Sequence, residues 1–549
     1  MLVMDVIAEI LRREGVATLF CYPTTPIIEA AVAAGIRPVV CRQERAGVDM
    51  ADGFTRVTNG EPVGVFAMQY GPGAENAFAG VATAWSDAAP VLLLPLSHAR
   101  ANSQVFPMFR SSRAFASVTT SVEEIVLPEE VGPVMRRAFS HLKNGRRGPV
   151  MVETPLDVVR HELGDIPVSY RPVRATRSAP DHRDVDAAAR ALVEAACPMI
   201  QAGQGVLYAQ ASEELVALAE LLQAPVMTTV DGKSGFPENH PLSVGAAGAV
   251  MTAHARRYLT ESDLVFGVGT SFTRHPLVNP TLPEGKRVIH ATNDPQEFYK
   301  GYDTEVCLLG DASLTLRDLI VAVKERLGGT PRDGAIRAEI KATKDAWLAQ
   351  WQARLRSTER PISPYRVISE FMRVVDPADA IVTHDSGSPR DQILPFYEAA
   401  TPRSYLGWGK SHALGTGLGL IIGAKIAAPD KFCVNFMGDA AFGMTGLDFE
   451  TAVRNDAPIL TVVLNNATMA IESGTMTLSH ERHRARDIGG RYADIARDLG
   501  GWSERVEDPE DVGAAIVRAR RQTENGRPAL LEFITSAETA FSFRRGIAH

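Results

Sequence analysis

A chain of 549 residues is too long for one hydrophobic core, and about 150 residues per domain predicts three or four domains. Hydrophobic residues make up 45% and charged residues 22%, the balance of a soluble globular protein. With 57 basic against 65 acidic residues the formal charge is −8, which disfavours general nucleic-acid binding.

Five cysteines (Cys21, Cys41, Cys197, Cys307 and Cys433) are scattered without CxxC spacing. They read as small buried hydrophobes in a reducing compartment, not as a disulfide framework or zinc site. The first helical pattern carries Asp5, Glu9, Arg12, Arg13 and Glu14, unlike a signal peptide, and no uncharged run reaches the length of a membrane span. A cytoplasmic protein is expected.

Along the chain, Val3, Ile7, Ile10 and Leu11 form one helical face that Gly15 ends. Strands are predicted over 18–21, 38–41, 63–67, 91–95 and 150–153, with a helix over 27–34 between the first two. This alternation predicts a doubly wound parallel sheet in a first domain over 1–165. Glu44 lies where the second strand gives way to a helix whose small residues Ala46, Gly47 and Ala51 allow a neighbour to approach closely. Gln69-Tyr70-Gly71-Pro72-Gly73-Ala74-Glu75-Asn76 forms a glycine-rich strand-to-helix turn where backbone can come close to a flat ligand. Residues 163–184, rich in Pro, Arg and Ser, read as a linker. A second domain over 185–330 has strands over 199–201, 226–229, 264–268 and 287–290, and its Gly203-Gln204-Gly205 turn could take a phosphate, though a lone GxG is a weak signal. Residues 335–356 read as a polar, solvated helix leading to a third domain over 360–549.

In that third domain a strand over 381–383 ends in His384-Asp385-Ser386-Gly387-Ser388, and a glycine-rich stretch runs over 407–424. A buried strand over 432–437 then leads to a turn at Gly438-Asp439-Ala440, a helical pattern with Leu447, Phe449, Ala452 and Val453 on one face, and a second strand over 459–464 that enters Asn465-Asn466. In such a βαβ unit both strand ends and the helix start meet at one sheet edge, so the oxygens of Asp439 and Asn466 can converge on a hard cation with a phosphate beside it.

With 24 residues between Ala440 and Asn465, this segment resembles the thiamin-diphosphate (ThDP) motif written GDG, about two dozen residues, then NN. The resemblance implies that Asp439, Asn466 and the carbonyl of Thr468 hold a Mg²⁺ that bridges the diphosphate. Ala440 stands where that motif has its second glycine and Ala441 where a serine is common, so one hydroxyl bond to phosphate is missing. The run from Arg42 to Gly60 resembles the family segment HE-x-A-A-x-x-A-D-G-Y-A-R, which implies that Glu44 bonds the aminopyrimidine N1′ and promotes the imino tautomer; Gln43 replaces the frequent histidine. Gly71, Pro72 and Asn76 fall in the loop that approaches the pyrimidine, Asp87 on a family Asp expected to be structural, and Ser386 and Ser388 in a turn that reaches the diphosphate. Leu414 falls on the apolar wedge that keeps the cofactor bent, and the carbonyl of His412 where relatives accept the 4′-amino proton.

The resemblance is to the 2-oxo acid decarboxylase and carboligase superfamily, and it implies three doubly wound α/β domains: pyrimidine-binding, central and diphosphate-binding. It also implies a small-molecule 2-oxo acid substrate and a homo-oligomer, at least a dimer, with each site shared between subunits. The cofactors implied are ThDP and Mg²⁺; relatives carry FAD, ADP or nothing in the central domain, and FAD is not favoured here. The layout is similar to the acetolactate synthase and pyruvate oxidase branch, so transfer of the decarboxylated enamine to a carbonyl acceptor is expected. Asn465 to Glu472 is instead similar to the simple decarboxylases, where the Glu at position 472 is an acid–base and an aldehyde is released. A catalytically silent ThDP-binding subunit is a further alternative, against which Glu44 argues.

Overall fold

The computed structural model describes residues 1–164, 168–275 and 277–544. Three all-parallel sheets of six strands succeed one another. The first holds β1 (Thr18–Cys21), β2 (Arg37–Val40), β3 (Gly64–Met68), β4 (Val91–Ser97), β5 (Ser121–Glu124) and β6 (Val150–Pro155), in the order 2-1-3-4-6-5. The second holds β7 (Pro198–Ala202), β8 (Val226–Thr229), β9 (Ser243–Ala247), β10 (Leu264–Val268), β11 (Arg287–Thr292) and β12 (Val306–Leu309), in the order 12-11-10-7-8-9. The third holds β13 (Ala380–His384), β14 (Tyr405–Leu406), β15 (Phe432–Gly438), β16 (Leu460–Asn465), β17 (Trp502–Val506) and β18 (Ala529–Ile534), in the order 14-13-15-16-18-17. The protein is therefore α/β throughout, with helices covering both faces of each sheet, as parallel strands require.

The strands without a counterpart among the predicted ones are mostly edges. Strands β5, β9, β12, β14 and β17 each close one side of a sheet, and β5 (Ser-Val-Glu-Glu) has no buried residue. An edge strand needs less apolar sequence, so its signal is weak. Strand β18 is different: it is an interior apolar run that the expected strands omit, and its pairing inserts it between β16 and β17.

Two expectations are corrected. The helix over Ile336–Leu355 is not simply solvated, because Ile340, Trp347, Trp351 and Leu355 are buried and Trp347 stacks on Phe396 with centroids 5.0 Å apart. Between β15 and β16 the helix is broken: Asp439–Thr445, a tighter turn at Gly446–Asp448, then Phe449–Arg454. Passing from 3.6 to 3.0 residues per turn rotates Leu447 outward, leaving it 60% exposed while Phe449 and Ala452 are buried. The segment expected to link the first two domains includes residues 165–167, which lie outside the described residues; beyond them it is pinned by Tyr170, whose hydroxyl donates to Glu14 at 2.5 Å.

The first and third sheets meet through two helices, Glu44–Thr58 and Thr416–Ala427. A Cβ on Gly53 would lie 2.0 Å from the carbonyl oxygen of Leu420, and one on Gly423 would lie 1.9 Å from that of Met50. Glycine is required at both positions for the backbones to come this close. No helix among the described residues is long and apolar enough to cross a membrane.

Candidate active site

Parallel pairing brings β13, β15 and β16 to one edge of the third sheet. Gly438 lies opposite Leu464, and β13 ends with His384 opposite Phe436, so Ser386, Asp439 and Asn466 all emerge just past the same edge. They enclose a cavity of about 50 Å³ whose walls include Ser386, Ser388, Leu414, Gly438, Asp439, Ala440, Ala441, Asn466 and Thr468. Asp439 is 3% exposed. Its carboxylate accepts the N–H groups of Ala440 and Ala467, both at 2.8 Å. Burial pushes it up to about 6, against the pull of those N–H groups. A carboxylate pressed toward its neutral form gains from an adjacent cation, which favours the ionised form.

The two adjacent asparagines part company. Asn465 turns into the sheet, where its amide donates to the buried Glu532 at 2.7 Å. Asn466 faces the cavity, and its side-chain oxygen accepts the Thr468 N–H at 3.0 Å. The cavity wall thus offers one carboxylate, from Asp439, and one side-chain amide oxygen, from Asn466, both hard oxygens, with Thr468 beside them. Among the described residues, no three of His, Cys, Asp and Glu gather as metal ligands.

Glu44 sits elsewhere, outside the walls of this cavity. It is the first residue of its helix and 3% exposed; burial raises its pKa, and Asn76 donates to it at 3.2 Å. Gly71, with φ of 60°, caps the next helix and Pro72 opens it. A Cβ on Gly73 would lie 3.4 Å from a Glu44 oxygen, so the absent side chain leaves room beside the carboxylate. Gln43 caps the Glu44 helix, and its side-chain oxygen is buried without a partner.

Between these two places runs the 407–415 loop, suspended from its surroundings. Arg56 donates to the Gly407 carbonyl at 2.9 Å, Asp87 accepts the Gly409 N–H at 3.2 Å, and Ser86 accepts the Ser411 N–H at 3.1 Å. Asp87 is fully buried between Arg56 and this loop. Leu414 reaches the cavity wall, whereas His412 is exposed, with φ of 42°. Glu472 is half-buried in a tight turn next to the cavity-lining Ile471, and its carboxylate accepts the Thr475 hydroxyl at 3.0 Å. Thr535 and Ser536 also line the cavity and were not anticipated; the signal was there, a polar pair directly after the apolar run of β18.

Two of the three amides of the Gly203-Gln204-Gly205 turn are not free for a phosphate. The Gly203 N–H donates to the Val268 carbonyl at 2.9 Å and the Gly205 N–H to the Gly269 carbonyl at 2.8 Å. A larger space of about 850 Å³ opens nearby, walled by the first and second domains and by Lys410 of the third, with Arg146, Arg147, Tyr208, Asn293 and Asp311 in its walls.

Three family profiles match the chain in series: "Thiamine pyrophosphate enzyme, N-terminal TPP binding domain" over residues 1–116, "Thiamine pyrophosphate enzyme, central domain" over 185–319, and "Thiamine pyrophosphate enzyme, C-terminal TPP binding domain" over 385–533. The chain belongs to the thiamine pyrophosphate enzymes. It is 30% identical over 560 residues to the probable acetolactate synthase large subunit of Methanocaldococcus jannaschii, covering 96% of this chain and 91% of that protein. To the probable 2-ketoarginine decarboxylase of Pseudomonas aeruginosa it is 31% identical, covering 84% of this chain and 81% of that protein. To the sulfoacetaldehyde acetyltransferase of Castellaniella defragrans it is 27% identical, covering 98% and 94%. As a thiamine pyrophosphate enzyme of the acetolactate synthase-like group, the protein carries ThDP-binding domains at both ends and acts on carbon–carbon bonds.

Proposed function

We propose that the protein is a ThDP- and Mg²⁺-dependent carboligase that decarboxylates a 2-oxo acid and joins the remaining fragment to a carbonyl acceptor, as the name of its acetolactate synthase relatives suggests. The observation that carries this reading is the cavity at the ends of β13, β15 and β16, where a buried carboxylate, an amide oxygen, two serines and an apolar side chain converge. Asp439, Asn466 and the Thr468 carbonyl would hold Mg²⁺, with Ser386 and Ser388 toward the diphosphate. When bound, ThDP would supply the nucleophilic carbon and the electron sink that decarboxylation of a 2-oxo acid needs. Glu44, desolvated and ionised with difficulty, would hold a proton at the aminopyrimidine N1′. Leu414 would brace the cofactor, and the His412 carbonyl would accept from the 4′-amino group. FAD is not favoured, since the Gly203 and Gly205 amides are already committed to backbone carbonyls.

Glu44 does not line the cavity that Asp439 lines, and the family resemblance implies a site shared between subunits, so the working unit is read as a homodimer or homotetramer in which Glu44 would act on the cofactor held by the partner's Asp439 and Asn466. The test is a panel of 2-oxo acids scored for CO₂ release and for product, with and without an aldehyde or second 2-oxo acid. A carboligase yields a joined hydroxy-ketone; aldehyde alone favours the second reading, a simple decarboxylase; no CO₂ from any acid rejects both.

Glu472 supports that second reading, since it stands six residues after Asn466 beside the cavity wall. As an acid–base late in turnover it should leave the start of the reaction alone. Glu472→Gln is expected to keep C2 hydrogen–deuterium exchange within about twofold while turnover falls by at least about a hundredfold, the low end for acid–base catalysis. Exchange and turnover falling together, or neither changing, would make Glu472 structural.

Ala441 is fully buried in the cavity wall, where a serine would add a hydroxyl toward the diphosphate. Ala441→Ser is expected to tighten ThDP by up to about tenfold, about 1.4 kcal/mol. Titration calorimetry showing an unchanged or weaker Kd would remove this account.

A further inference from the structure

We propose that Arg45 is a positioning residue: with Asp385 it clamps the one peptide unit that joins Leu414 to Gly415, and so sets the direction in which Leu414 points. This deepens the ThDP reading above and rests on it for the role of Leu414. The family pattern leaves the position after Glu44 open, and nothing in the motifs assigns Arg45.

The backbone around Leu414 takes left-handed conformations that its surroundings must hold in place. His412 has φ of 42° and Gly415 φ of 96°, so residues in the left-handed region lie on either side of Leu414. A Cβ at Gly415 would lie 2.9 Å from the Thr445 side chain, so the position takes no side chain that would restrict it. What directs Leu414 must therefore come from hydrogen bonds to its peptide group. Arg45, the second residue of the Glu44–Thr58 helix, donates from Nη2 to the Leu414 carbonyl. Its Nε is buried and has no hydrogen-bond partner among the described residues. Asp385, fully buried just past the end of β13, accepts the Gly415 N–H at 2.9 Å and the Gly417 N–H at 2.9 Å. The oxygen end of the 414–415 peptide thus faces a cation and the N–H end faces an anion. Turning the peptide would break two charge-assisted hydrogen bonds at once.

The two charges come from different domains. Arg45 rides on the helix that begins with Glu44, and Asp385 belongs to the turn that carries Ser386 and Ser388. The clamp acts within one chain, whereas Glu44 is assigned to the partner's cofactor. A purely structural role for Arg45 would be to balance Asp49, one helical turn on, which is fully buried with neither carboxylate oxygen hydrogen-bonded. Loss of that balance would loosen the 44–58 helix itself. Loss of the clamp would loosen the 411–418 loop and leave the helix alone.

That difference can be read in the protein without cofactor, by amide hydrogen exchange with mass spectrometry. Arg45→Gln is expected to speed exchange over 411–418 by at least about tenfold, with 46–58 changed by less than about twofold, and Arg45→Lys to recover part of the protection. Asp385→Asn should loosen the same loop. With ThDP and Mg²⁺ added, C2 exchange in Arg45→Gln should fall by about tenfold while the ThDP Kd moves less than about threefold. Unchanged exchange over 411–418 in a folded variant overturns the clamp, and so does equal loosening of 46–58. Should Arg45→Gln fail to fold, Arg45→Lys carries the same comparison, with partial loosening confined to 411–418 as the supporting result. If the wild-type protein takes up no ThDP, the functional reading fails, while the cofactor-free exchange still decides the clamp.

Discussion

Glu44→Gln is expected to bind ThDP and Mg²⁺ about as well as the wild type, while C2 exchange and 2-oxo acid turnover fall by at least about a hundredfold. Glu44 is 3% exposed, with Asn76 donating to it at 3.2 Å, and burial raises its pKa. A carboxyl group in that condition shares a proton readily with a ring nitrogen, because neither ionic form is well solvated. Glutamine keeps the size and one hydrogen bond but cannot take up or release the proton. Binding is spared because the anchoring oxygens belong to the other locus. Calorimetry for the cofactor and NMR for C2 exchange check the two halves separately. Full exchange in Glu44→Gln would remove Glu44 from the reaction.

Asp439→Ala should have the opposite signature, with cofactor binding lost and the fold kept. The carboxylate is the only charged ligand in the set assigned to Mg²⁺, and removing it should weaken ThDP–Mg²⁺ binding by more than about a hundredfold, at or beyond the cost of losing an outer-shell partner. The fold should survive because the Asp439 carboxylate is held by backbone N–H groups at the cavity wall, those of Ala440 and Ala467 at 2.8 Å, and carries no ion pair among the described residues. Burial that pushes Asp439 up to about 6 is a cost that alanine removes, so thermal stability without cofactor should not fall. Full cofactor occupancy in Asp439→Ala would sink the assignment. The two variants also test sharing between subunits: mixed dimers of Glu44→Gln and Asp439→Ala chains should regain one working site of two. No recovery in properly reassembled mixed dimers would place both residues in the same chain's site.

Much of this was legible in the residues alone, and the reasons are local. Parallel interior strands such as β15 and β16 are buried on both faces, so they read as unbroken apolar runs, and the polar residues that follow them mark the sheet edge where ligands bind. That is why Asp439, Asn466 and Ser386 could be named together before their contacts were known. Glu44 was legible from the residues only as a helix-start carboxylate after a buried strand; its role came from the resemblance of the surrounding run to the ThDP family segment.

What tertiary structure alone decided was everything that depends on partners distant in the chain. Edge strands such as β5 and β17 carry too little apolar sequence to announce themselves, and the tight turn at Gly446–Asp448 that leaves Leu447 exposed interrupts a pattern that reads as one helix. Thr535 and Ser536 join the cavity only because β18 inserts beside β16. Asn465 and Asn466 are identical in type and adjacent in sequence, yet strand alternation sends one to Glu532 and the other to the cavity. The grip of Arg45 on Leu414 spans 369 residues; no spacing rule reaches that far, because it arises from two helices whose glycines let them touch.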